Sequence, residues 1–228
     1  MRVIAYEVAR LTLLFPLEEI VPLDGADGKA ITAAIGAKYS FSRLPDVSVS
    51  REEMNKSGLK FETGLFEVKG KPQNILALAV YNDGVNIDVS VSDTAEAFLD
   101  DLLQFLRVTF GFREFTSHPR MHFWSQLVVE FDRNVAKLIN GYEKIAESVW
   151  GKVAIHYGES LPTCQFGRLD FRWDPSNAAT LEPTPRFVIE RRTGVPFERE
   201  RYFCGASMRT RDHEEVLEMV ERLASQVR

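Results

Sequence analysis

Apolar and polar residues alternate along much of the chain, which predicts a fold rich in half-buried strands. Arg2 to Phe15, with its Val, Ile, Leu, Thr and Tyr, reads as a strand ended by Pro16. Pro22, Gly25 and Gly28 mark a loop, and Asp27 is placed to cap a short helix over Lys29 to Ala37. Tyr39 to Arg43 and Val47 to Val49 read as short extended pieces around Pro45. Leu59 to Lys69 and Ile75 to Tyr81 alternate again. The turn Asn82-Asp83-Gly84 then leads into Val85 to Val91, apolar at odd positions and polar at even ones. Asp-Gly between two alternating runs is a strong hairpin signal, because the turn needs a positive φ that Gly supplies.

The period then changes. Asp93 and Glu96 form a capping-box-like pair ahead of Phe98, Leu99, Leu102, Phe105 and Leu106 at helical spacing, with Gly111 as the stop. A strand from Met121 to Phe131 follows. Phe123, Leu127, Val129 and Phe131 share one face, and His122, Trp124, Gln126, Val128 and Glu130 the other. Asp132 is expected to cap a second long helix along Val135, Leu138, Ile139, Tyr142, Ala146 and Val149, weakened by Gly141 and closed by Gly151. Three strands come next, Cys164 to Trp173, Arg186 to Arg192 and Arg201 to Met208, with an exposed loop expected over Pro175 to Pro185. Asp212 and Glu215 introduce a final helix, with Val216, Met219, Val220, Leu223 and Val227 as its expected buried stripe.

In order, these elements fall into two similar halves, 1–111 and 120–228, each a β-α-β(3–4)-α unit. The capping aspartates Asp93 and Asp212 and the strand starts are both 119 residues apart. The expected fold is one compact α+β domain: a large curved antiparallel sheet with about four helices on one face. Its topology resembles that of the TATA-binding-protein saddle and of helix-grip lipid-binding domains. The likeness is one of topology and carries no functional residue across.

At 228 residues, 45% hydrophobic and 27% charged, the composition is that of an ordinary globular protein. A net charge of −5 argues against a large surface for nucleic-acid phosphates. The longest apolar stretch, Val3 to Phe15, is interrupted by Glu7 and Arg10, so neither a membrane span nor a signal peptide is expected. Cys164 and Cys204 form no C-x-x-C pair. Cys204 reads as a small core hydrophobe, and a reducing, cytoplasmic setting in a bacterial host is the working expectation. His118 and His122 are four apart, but Pro119 between them opposes a metal-binding helix. No cofactor is called for.

Three groups of residues could carry chemistry. Pro45-Asp46 followed by Glu67-Val68-Lys69 is similar to the Pro-Asp…Glu-x-Lys motif of restriction-endonuclease-like nucleases. In that arrangement Asp46 and Glu67 would hold Mg²⁺ while Lys69, sharing the Glu67 face, stabilises charge; the plain alternative is the wet face of a hairpin strand. Arg168, Asp170, Arg172 and Asp174 share a strand face and are followed by Glu190 and Arg192. They form either an anion site or a ladder of cross-strand ion pairs. His122, Trp124, Gln126 and Glu130 mix apolar area with polar groups, as a pocket floor or partner surface does.

No phosphate-binding loop, dinucleotide fingerprint or nucleophile elbow is present. The expected function is therefore a non-enzymatic binding protein, first as a subunit or adaptor of a multiprotein assembly. A carrier of an apolar small ligand or lipid on the concave sheet face is the alternative, and a Mg-dependent nuclease the third.

Overall fold

The computed structural model describes residues 1–139, 141–157, 164–172 and 185–226. Among them are eight strands of an antiparallel sheet and six α-helices. The strands are β1 (Arg2–Leu14), β2 (Leu59–Val68), β3 (Lys71–Tyr81), β4 (Gly84–Val89), β5 (Arg120–Glu130), β6 (Arg168–Arg172), β7 (Arg186–Arg191) and β8 (Arg201–Ala206). The helices are α1 (Leu17–Ile20), α2 (Gly28–Lys38), α3 (Arg51–Ser57), α4 (Ser92–Phe110), α5 (Tyr142–Tyr157) and α6 (Thr210–Gln226). The strand order is β2-β3-β4-β1-β5-β8-β7-β6. No described helix is long and apolar enough to cross a membrane. Except for Pro185, the loop expected over Pro175–Pro185 lies outside the described residues, as do Trp173, Asp174 and Val227.

The chain divides into two compact units. An N-terminal unit holds Glu7–Ser125 and Ser207–Thr210, and a C-terminal unit holds Met1–Tyr6, Gln126–Ala206 and Arg211–Arg228. In the N-terminal unit, β4 pairs with β3 on one side and β1 on the other. The alternation sends Leu11, Leu13, Val85, Ile87 and Val89 into the core against Phe98, Leu99 and Leu102 of α4. Tyr39 lies at the centre of an aromatic cluster, its ring edge-on to Phe98 with centroids 4.8 Å apart. Its hydroxyl donates to Asp101 at 2.6 Å; burial, reinforced by that carboxylate, raises its pKa. The Asn82-Asp83-Gly84 hairpin forms as expected. Gly84 has φ 151°, and a Cβ there would lie 2.1 Å from the Leu13 carbonyl oxygen, so only Gly fits.

The C-terminal unit buries Leu127, Val129 and Phe131 of β5, Ile189 of β7, Tyr202 and Cys204 of β8, and one side of α6, with the Phe131 and Tyr202 rings edge-on at 5.5 Å. That side is His213, Leu217, Val220 and Ala224, whereas Met219 and Leu223 of the expected stripe are each 45% exposed. The buried set keeps i, i+4, i+7 spacing but is rotated about one residue from the expected stripe, and it begins one turn earlier, at a buried His.

Helix boundaries correct the sequence reading in three places. Asp93 and Asp212 are not caps: α4 and α6 start earlier, and both aspartates sit in the first turn, where a negative charge suits the helix dipole. Ser92 and Thr210 do the capping reciprocally, each backbone N–H donating to the other's hydroxyl at 3.0 Å. The helix expected from Asp132 is instead a 3₁₀ turn over Val135–Leu138, capped by Asn134, and then α5. Gly141, with φ 78°, takes a left-handed conformation that ends one element before the next begins, and α5 runs past Gly151 to Tyr157. Finally, α3 arises between the extended piece ending at Val49 and the strand from Leu59, in a stretch to which the sequence reading assigned no element. Ser50 accepts from the Glu53 amide at 3.1 Å, half of a Ser-x-x-Glu capping box.

Candidate functional site

Between the sheet and the helices of the N-terminal unit lies a cavity of about 190 Å³. Its floor includes Phe61, Leu78 and Val85; Ile31 and Ile35 of α2 and Leu102 and Leu106 of α4 form its sides. Among the described residues, no ionisable side chain lines it, and Thr32 is the only polar one. Ala26 and Gly28, both exposed, and the partly exposed Leu17 and Val21 place its mouth between α1 and the start of α2.

Local chemistry holds that mouth. The Phe15 and Leu17 amides donate to the Asp83 and Asn82 carbonyls at 2.9 and 2.8 Å, tying the start of α1 to the β3–β4 turn. Asp27 caps α2 by accepting from the Lys29 and Ala30 amides at 2.9 and 3.2 Å. The segment after α4 closes over α1. Arg113 donates to the Val21 and Glu18 carbonyls at 2.9 and 2.8 Å, and its own amide to Ile20 at 2.7 Å. The Glu19 carboxylate accepts from the Thr116 hydroxyl at 2.6 Å, the Ser117 hydroxyl at 2.8 Å and both backbone amides. These bonds, the Thr116 hydroxyl first, hold the Glu19 pKa down to about 2. Phe115 packs edge-on against Phe15 beneath this clasp, with centroids 5.0 Å apart.

The nuclease-like residues are not brought together. Arg43 bridges to Glu62 and the Tyr39 carbonyl accepts from Leu65, so segment 39–43 runs antiparallel to β2. Asp46 therefore continues toward the start of β2, whereas Glu67 lies five residues past Glu62 in the other direction, roughly 16 Å at strand rise. Asp46 is exposed, and its carboxylate accepts from the Ser48 amide at 2.8 Å; that bond is the main cause of its lowered pKa. Lys69 does not share the Glu67 face as expected. The strand ends at Val68, and Lys69, with φ 51°, begins the turn to β3. No group of three His, Cys, Asp or Glu suited to a metal occurs among the described residues.

The β5 residues keep their expected face: His122, Trp124, Gln126 and Glu130 are half-buried. Glu130 accepts from Arg201 at 2.8 Å and from Arg2 at 3.0 Å, which lowers its pKa, Arg201 being the larger cause. Arg168 and Arg172 flank Asp170 at 3.0 and 2.9 Å, and Arg186 reaches it across the strands at 3.0 Å. Arg168 also pairs with Glu190 at 3.5 Å, as cross-strand neighbours in register. This is the geometry of the ion-pair ladder. Arg192 is exposed and one residue beyond β7.

The neighbouring Arg191, which pattern reading passed over, is the most engaged cation of the region. Its side chain is 8% exposed and pairs with Glu200 at 3.0 Å. It donates to the Phe166 and Phe197 carbonyls at 2.9 and 3.2 Å and to Gln165 at 3.1 Å, and its guanidinium stacks on Phe197 and Tyr202. Its partners come from two other stretches of chain, Gln165–Phe166 and Phe197–Tyr202, so alternation along β7 gave no signal for it. Cys204 is buried in β8, which raises its thiol pKa, and Cys164 is exposed; neither forms a disulfide.

No protein-family model matches the sequence, and no curated protein matches it significantly.

Proposed function

We propose that this chain is a non-enzymatic binding protein whose N-terminal unit holds an apolar small molecule in the cavity between α2, α4 and the sheet. The carrying observation is the cavity itself: about 190 Å³ of space walled almost wholly by hydrocarbon. The cavity lies between the strands and helices α2 and α4, whereas the sequence pattern suggests the concave sheet face for such a ligand. Solvent extraction of the purified protein followed by mass spectrometry tests this reading. It should release a small apolar compound at up to one per chain, or leave a protein that takes up an added one. A chain that neither releases nor takes up such a compound overturns it.

A second reading, a subunit docking on a protein partner, draws support from α5. Ile145 is 62% exposed and Val149, one turn on, 43%. Co-purification from the native host tests it. A defined stoichiometric complex lost in Ile145→Lys supports the reading, and a monomer throughout counts against it.

We infer also that the fold is a duplicated β-α-β₃-α unit, with halves 1–111 and 120–228. The strand order supports this: with β5 to β8 standing for β1 to β4, it reads the same from either end. β1 and β5 start at residues 2 and 120, and α4 and α6 at 92 and 210, both 118 residues apart.

A further inference from the structure

Resting on the ligand-binding reading, we propose that the cavity selects uncharged molecules about the size of a monosubstituted benzene or a six- to eight-carbon chain, and rejects carboxylates and amines of equal size. Volume sets the size. An apolar cavity of about 150 Å³ stays dry and accepts benzene, and this one is slightly larger at about 190 Å³.

The wall sets the charge rule. No described side chain lining the cavity can neutralise an ion, and an unpaired buried charge loses its hydration with nothing in return. Two groups beside the elements of the mouth that could serve an anion are already engaged. The first amides of α2 are capped by Asp27, and Arg113 donates to the Val21 and Glu18 carbonyls. Thr32 contributes a single hydroxyl to the wall, so one weakly polar group on the ligand is tolerated, as in an alcohol or a phenol.

Isosteric pairs test this on the intact chain at pH 7. Nitrobenzene and 2-heptanone are compared with benzoate and hexanoate by calorimetry, and fluorobenzene, a smaller neutral probe, is followed by ¹⁹F NMR. The neutral members should bind one per chain, with the carboxylates at least 100-fold weaker. Methyl shifts at Thr32 and Ile31 on adding fluorobenzene locate the site without any substitution. Ile31→Phe and Leu103→Phe, both at half-buried wall positions, fill the space. Either should weaken neutral binding at least tenfold while the melting temperature holds.

Hexanoate or benzoate binding within threefold of its neutral partner overturns the charge rule and leaves the ligand-binding reading standing. Undiminished fluorobenzene binding in a folded filled variant, or methyl shifts elsewhere, overturns the assignment to this cavity. Failure of every neutral probe overturns both.

Discussion

His213 shows how one buried group makes stability depend on pH. It is fully buried in α6 beside Phe187, and desolvation pushes its pKa down from 6.5 to about 4. Between those values the unfolded chain binds a proton that the folded chain does not. Stability is therefore full above about pH 6.5 and falls as pH drops toward 4, by up to about 3 kcal/mol from this group. Urea denaturation at pH 7.5 and 4.5 checks it. The loss on acidification should be smaller in His213→Met, and an equal loss in both proteins would exclude His213 as the cause. Arg191 makes the complementary case for geometry. Arg191→Met should cost about 3 kcal/mol because it leaves Glu200, a carboxylate whose side chain is 14% exposed, with the Tyr202 hydroxyl but no cation. Arg191→Lys should recover little, since one ammonium cannot match a planar fork donating to four partners. A Lys variant close to wild type in urea would show that charge alone suffices.

Among the elements, α1 and the segment after α4 depend on each other through Glu19 and Arg113 more than on any propensity of their own. A four-residue helix is far below the length at which helices persist alone. Glu19→Ala should raise amide exchange at Thr116 and Ser117 at least tenfold and speed ligand exit from the cavity behind them. Unchanged exchange there would show that Arg113 holds the segment by itself. Because the Glu19 pKa is depressed, the clasp is intact at neutral pH and opens only as pH falls through about 2. The starts of α4 and α6 share a different device. Ser92→Ala or Thr210→Ala each leaves a buried amide without its acceptor and should cost about 1–2 kcal/mol in thermal or urea unfolding. The sequence signalled the helices but not their caps. Asp and Glu near a helix start look alike as caps or first-turn charges, and only the distant partner separates the two. The Asp132 helix failed for a related reason. Gly141 reads as a mild weakness within a helix, but at φ 78° it is a break.

For the whole molecule, the proposed ligand site belongs to one of the two compact units. Among the described residues, all that line the cavity belong to the N-terminal unit. Hydrogen exchange with and without fluorobenzene should therefore slow amides of α2, α4 and β2 to β4 and leave β6 to β8 unchanged. Equal protection in both units would mean that the ligand acts on the entire fold.

Local chemistry in the chain was sufficient for the strands, the Asp83-Gly84 hairpin, the two faces of β5, and the approximate extent of α4 and α6. Period, turn geometry and side-chain alternation act over a few residues, so they can be read one window at a time. The cavity, the Glu19 clasp, the Arg191 hub and the separation of Asp46 from Glu67 were decided only by tertiary structure. Each depends on segments distant in sequence meeting at a definite register, and Leu102, Ile35 and Phe61 show no spacing that says whether they touch or leave a gap.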